Sequence, residues 1–221
     1  MPAQSLPPLP PLPPLPPGGR AEADSDWRPW SPEEVAARLA GVTVPWCITS
    51  GWAMDLFRGE VTRPHGDVEI TIAAAGFPAI RAALSDLEFE VAGDGHLWPE
   101  RSPAFDRYFQ TWGREPATGI YRIDVFREPH EGDTWLCRRD QTITRPFSDL
   151  IKHTPGGVPY VAPEVALLFK AKHCRPKDEH DFAGALPLLD PQARSWLIDA
   201  LHRVHPGHPW LAVLGGCATY S

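Results

Sequence analysis

Behind Ser31-Pro32-Glu33-Glu34, the apolar residues Val35 and Leu39 recur at helical spacing. Ser31 and Glu34 have the makings of a capping box, and Pro32 suits the first helical position. Such a cap stabilises a helix by about 1 kcal/mol. Gly41 ends the run, and Val44–Thr49 then reads as a strand. Ser50-Gly51 reads as a tight turn, and Trp52–Arg58 as a short helix stopped by Gly59. Asp67–Ile72 alternates polar and apolar, the mark of a half-buried strand. Phe77–Leu87 is expected to be helical, and Arg107–Gly113, Tyr121–Arg127 and Thr134–Arg138 to be strands. Helical spacing alone follows, over Glu164–His173, over Lys177–Leu186, and from Asp190-Pro191 onwards through Trp196, Leu197, Ala200, Leu201 and Val204. Strands interleaved with helices and then helices alone predict an α/β (α+β) mixed sheet with flanking helices and a helical C-terminal region.

Residues 6–17 break this pattern with four copies of Leu-Pro-Pro. Proline fixes φ and removes the amide donor, so a polyproline II arm is expected there. Such an arm is either a passive tail or a ligand for a proline-recognising groove on a partner. The expected organisation is a disordered arm over 1–26, a catalytic core over 27–150 and a helical region over 151–221.

The chemistry concentrates between residues 50 and 69. On a strand, Asp67 and Glu69 point to one face with Cα atoms about 7 Å apart, while Val68, Ile70 and Ile72 point to the core. Adjacent carboxylates repel unless a cation lies between them, and hard oxygen ligands suit Mg²⁺. The Ser50-Gly51 turn leads into a helix N-terminus, whose free N–H groups attract phosphate. A phosphate cradle ahead of a carboxylate pair is what nucleotidyl transfer requires. Asp124 supplies a third acid, opposite a face shared by Tyr121, Ile123 and Val125, either as a metal ligand or as the acceptor of a hydroxyl proton. His65 is read as orienting its loop. Arg63 either reaches phosphate or pins the loop to a carboxylate. Lys170 and Lys177 are candidates for the triphosphate or members of a solvated helix end. Asp178 and Asp181 look like surface or capping acids.

With 221 residues, 43% of them hydrophobic, the chain can bury a core without disulfides. Its net charge of −7 argues against a general nucleic-acid binder. Cys47, Cys137, Cys174 and Cys217 form no C-x-x-C pair and fit free thiols in a reducing cytosol. No apolar run approaches the length of about 18 residues expected of a membrane helix, so neither a membrane partner nor a location outside the cytoplasm is expected.

Gly51-Trp52-Ala53-Met54-Asp55, Gly59, Thr62-Arg63, His65 and Asp67-Val68-Glu69 together resemble the signature of the aminoglycoside-2''-adenylyltransferase-like family of the nucleotidyltransferase superfamily. The resemblance returns at Pro163-Glu164, Lys170 and Lys177-Asp178. It implies a nucleotidyltransferase fold and Mg²⁺-dependent transfer of a nucleoside monophosphate, usually from ATP, to a small hydroxylated acceptor. By position it implies Asp67, Glu69 and Asp124 as metal and catalytic residues. Ser50, Gly51, Arg63, Lys170 and Lys177 would face the nucleotide. Ser50 stands where the family often has a glycine, and Glu69 where it often has Asp. These departures leave open a nucleotide-binding module without catalysis, and a third reading has another protein as the acceptor.

Overall fold

A computed structural model describes residues 19–216. The Leu-Pro-Pro arm lies outside the described residues, so neither reading of it is addressed. From Gly19 onwards the chain already belongs to the folded body, earlier than the boundary expected at Trp27.

The strands are β1 (Arg20–Ala21), β2 (Trp46–Ile48), β3 (Glu69–Ala73), β4 (Glu88–Gly93), β5 (His96–Pro99), β6 (Gln110–Arg114), β7 (Tyr121–Glu128), β8 (His130–Glu131), β9 (Thr134–Cys137), β10 (Asp140–Pro146), β11 (Ile151–His153) and β12 (Pro159–Val161). The helices are α1 (Pro32–Arg38), α2 (Ser50–Arg58), α3 (Phe77–Ala83), α4 (Ala104–Arg107), α5 (Phe147–Leu150), α6 (Pro163–Lys170), α7 (Pro176–Ala185), α8 (Pro191–Val204) and α9 (Trp210–Gly216). A nine-stranded mixed sheet runs β1-β5-β4-β6-β7-β3-β2-β12-β11, and β10-β9-β8 form a small second sheet. Two of its pairings are parallel, β3 with β7 and β2 with β12.

Local chemistry explains the element ends. The Ser31 hydroxyl accepts from the Glu34 amide at 3.2 Å, and the Ser31 amide donates to the Glu34 carboxylate at 2.7 Å. Gly59 closes α2 at φ 76°, a conformation that costs glycine nothing. The Asp190 carboxylate caps α8 by accepting from the Ala193 amide at 2.7 Å.

Val68, Ile70, Ile72, Ile123 and Val125 are fully buried on one face of the sheet. Arg127 shares that face and stacks on Phe105 from α4 at 3.6 Å, with Phe77 of α3 at 5.7 Å. Glu69, Thr71, Asp124, Phe126 and Glu128 point the other way, towards α6.

Several elements differ from expectation. The region after residue 150 is not helical throughout, because β11 and β12 complete the main sheet. The helix expected over 77–87 ends at Ala83, and the strand expected from Arg107 begins at Gln110 after the turn of α4. Tyr121 does not share a face with Ile123. The β6–β7 register slips between Gly113↔Ile123 and Arg114↔Tyr121, leaving Arg122 as the extra residue of a bulge. Tyr121 therefore turns to the face of Trp112, where the rings meet edge to face at 5.4 Å. Trp27 stacks on Tyr121 at 5.2 Å, and the Tyr121 hydroxyl donates to Glu90. No described helix is long and apolar enough to cross a membrane.

Candidate functional site

Strand register brings two of the expected acids together. Glu69 on β3 pairs directly with Asp124 on β7, and paired residues of adjacent strands share a face. Asp67 lies two residues before Glu69, outside the strand proper and exposed. Burial and the Asp67 charge push the Glu69 carboxyl up to about 7, with Ser50, Lys170 and Lys177 pulling it back. Burial, and then Glu69, raise the Asp124 carboxyl well above the usual carboxylate range. The Gln110 side chain opposes that rise by donating to Asp124 Oδ2 at 2.5 Å. Asp124 Oδ1 is buried and has no hydrogen-bond partner among the described residues.

These acids form a crowded anionic face rather than a finished cage. Among the described residues, no group of three or more His, Cys, Asp or Glu side chains is arranged to hold a metal ion by itself. The donor set still fits a hard divalent cation. Mutual repulsion and an orphaned carboxylate oxygen are what such a cation relieves, and Mg²⁺ characteristically takes phosphate and water oxygens as its remaining ligands.

The Ser50-Gly51 segment is the first turn of α2, not a separate turn. Ser50 adopts φ 57°, in the left-handed region that non-glycine residues seldom occupy. Gly51 is required for a reason the sequence does not show. A Cβ there would collide with the Arg63 guanidinium and lie 2.8 Å from His65 Nδ1. His65 stacks on Trp52 at 4.2 Å and meets the buried Asp55 through Nε2 at 2.6 Å. Arg63 Nη1 faces His65 Nδ1 at 3.2 Å, so Nδ1 accepts and Nε2 donates to Asp55, an assignment made from the network. Thr62 donates to the same carboxylate at 2.6 Å.

Arg63 and Lys170 meet at Asp181. Arg63 donates to both Asp181 oxygens, at 3.1 and 3.3 Å, and Lys170 Nζ lies 2.7 Å from Oδ2. Lys170 also lies 3.6 Å from Asp178, which holds Arg175 Nε at 2.7 Å. Asp178 and Asp181 are fully buried and not at the surface; of the two expected roles, Asp178 has the capping one, accepting from the Arg175 amide at the start of α7 at 3.1 Å. Arg63 thus pins the loop before Asp67 to α7. Lys170 is buried in the same network but lines the cleft and acts on Glu69. Lys177 is exposed in the first turn of α7 and also acts on Glu69.

From the sequence Arg175 reads, with Lys170 and Lys177, as a phosphate contact or part of a solvated helix end, whereas sequence reasoning misses Gln110 and the Glu128–Arg138 pair. The Arg175 guanidinium is held above its ordinary value by Asp178, with Glu69 and Asp67 contributing. A cleft of about 510 Å³ runs from Ser50, Glu69 and Arg175 along the sheet to Phe126, Glu128 and Arg138, beneath Phe169 and Lys170 of α6. At its far end Glu128 is buried, accepting from Trp135 Nε1 at 3.2 Å and facing Arg138 Nε at 3.1 Å. Gln110 was legible only through its alternation with Trp112. Arg138 could not be placed without the fold.

Residues 33–106 match the sequence model of the aminoglycoside-2''-adenylyltransferase family, a span that contains Asp67 and Glu69 and stops before Asp124. The chain superposes on the solution structure of the antibiotic-resistance factor ANT(2'')-Ia with a TM-score of 0.52 at 13% identity, covering 85% of this chain and 95% of that one. A crystal structure of ANT(2'')-Ia with adenylyl-2''-tobramycin gives a TM-score of 0.52 at 13% identity, over 77% and 95% of the two chains. The lincomycin-bound lincosamide antibiotic adenylyltransferase LnuA gives 0.50 at 15% identity, over 76% and 97%. At these identities the superpositions establish the fold. No curated protein sequence matches the chain.

Proposed function

We propose that this chain, which matches the aminoglycoside-2''-adenylyltransferase family model over residues 33–106 and has a nucleotidyltransferase fold, is a metal-dependent enzyme. It moves a nucleoside monophosphate, AMP from ATP in the first instance, onto a hydroxyl of a small acceptor. The observation that carries this reading is the register pair Glu69–Asp124 on one face, with Asp67 beside it. The N-terminus of α2 and the cations Arg175 and Lys177 adjoin the same face.

Asp67 and Glu69 would hold a divalent cation such as Mg²⁺, with Asp124 beside them. Bound there, the cation neutralises the triphosphate and makes pyrophosphate a better leaving group. The first-turn amides of α2 and the Ser50 hydroxyl donate to phosphate oxygens, and Arg175 and Lys177 balance their charge. Asp124 accepts the acceptor's hydroxyl proton. The acceptor oxygen bonds to the α-phosphorus as the bond from that phosphorus to the departing pyrophosphate breaks. ANT(2'')-Ia and LnuA have been seen with an adenylylated tobramycin and with lincomycin, so aminoglycosides and lincosamides are the first acceptors to try.

The test is pyrophosphate release from ATP and Mg²⁺ with a panel of such acceptors. Asp67→Asn should stay folded and lose turnover, and normal turnover in that variant rules out its proposed role. Ser50 and Glu69, which stand where similar sequences often have Gly and Asp, keep one second reading open, a nucleotide-binding module without catalysis. ATP binding without pyrophosphate release across the panel would support it.

A further inference from the structure

Resting on that reading, we infer that the far end of the cleft seats the base of the donor nucleotide, and that Arg138 is the specificity-determining residue there. Asp124 and Glu128 lie on one strand, four residues apart, which is about 13 Å at the rise of a strand. The phosphates belong at the Asp124 end, with α2, Arg175 and Lys177. What lies beyond them along the sheet must take the rest of the nucleotide.

Arg138 is built to receive a flat heterocycle. Its guanidinium carbon lies 4.6 Å from the Phe126 ring centre, 4.9 Å from Phe169 and 5.8 Å from Phe109. Phe109 is 43% exposed at this rim. Nε faces the buried Glu128, while Nη1 and Nη2 meet no hydrogen-bond acceptor among the described residues. A guanidinium held against phenyl rings offers a fixed plane and a fork of donors at its edge. That arrangement suits a base whose ring nitrogens or carbonyls accept hydrogen bonds. It does not suit a polyamine acceptor, because Arg138, Lys172 and Arg175 line the same cleft and would repel it.

Titration calorimetry on the full-length chain with Mg²⁺ tests this by comparing ATP and GTP with inorganic tripolyphosphate. The tripolyphosphate carries the charge and lacks the nucleoside. Arg138→Lys keeps a cation for Glu128 but loses the plane and the fork. It should bind the nucleotides about tenfold more weakly, the worth of one base contact, and bind tripolyphosphate as the parent does. The double variant Arg138→Met/Glu128→Gln removes both charges and should behave alike, which guards against a folding defect from the buried acid. If tripolyphosphate binding falls in step with nucleotide binding, Arg138 serves the phosphates and the inference is overturned. Unchanged nucleotide affinity with a raised KM for the acceptor overturns it in favour of an acceptor site. A parent protein that binds no nucleotide at all overturns the proposed function itself, a result the variants do not enter.

Discussion

Asp181 joins two cations from different parts of the chain in a site that water does not reach. Its carboxylate is 1% exposed, with Arg63 on both oxygens at 3.1 and 3.3 Å and Lys170 at 2.7 Å. Asp181→Asn keeps the shape and removes the charge, leaving Lys170 with only Asp178 at 3.6 Å. Breaking a buried ion pair from one side costs about 3–5 kcal/mol. The retained amide oxygen still accepts one bond, so the lower end, about 3 kcal/mol, is expected. For a chain of this size that is a fall in Tm of about 6–12 °C. Thermal and urea unfolding measure it. A double-mutant cycle with Arg63→Met should show positive coupling, since removing both partners leaves fewer buried charges without a counterion than removing Asp181 alone. A fall in Tm below about 2 °C, or zero coupling, would refute the assignment of Asp181 as the pin between the loop and α7.

Four further outcomes follow from the same geometry. Gly51→Ala forces a Cβ against Arg63 and His65, so unfolding experiments should show a loss of about 1–3 kcal/mol. Ser50→Gly removes a side chain from a left-handed position, so Tm should hold or rise, while any loss of turnover would report the hydroxyl's contact with phosphate. Asp178 and Asp181 are both held below their ordinary values, by Arg175 and by Arg63 respectively, with Lys170 helping in each. Their stabilisation is complete above the unfolded carboxylate pKa of about 4 and is lost as pH falls through the lower folded values. Urea midpoints of Asp181→Asn and its parent should therefore converge as the pH drops below about 4. Gln110→Leu removes the donor to Asp124 Oδ2, so kcat should fall more than KM rises, and equal changes would deny it a positioning role.

The helix ends were legible because each has a local cause. Ser31 with Glu34, Gly59 and Asp190 act through neighbours within a few residues. The β4–β5 hairpin has a local cause as well. Its turn is Asp94-Gly95, at φ 48° and 77°, a pair that strongly favours the tight turns joining antiparallel strands. The acid pair Asp67–Glu69 followed from alternation, but its partnership with Asp124 did not, since β3–β7 register is set by long-range pairing. Nothing local to Arg63 or Asp181 announces a contact across 118 positions of sequence. The wrong face assigned to Tyr121 has the simplest cause: alternation assumes a regular ladder, and one extra residue reverses every orientation on its far side.

The bulge at Arg122 also bears on how the proline-rich arm can be trimmed. By turning Tyr121 to the Trp112 face, it gives the first described residues something to hold: Tyr121 takes a hydrogen bond from Arg20 and donates its amide to Asp26, while Arg20–Ala21 zips onto β5. A truncation that starts at Trp27, where composition invites the cut, would strip away this latch and leave Glu90 without Arg20. Shortened versions intended for crystallisation or assay should therefore begin ahead of Gly19.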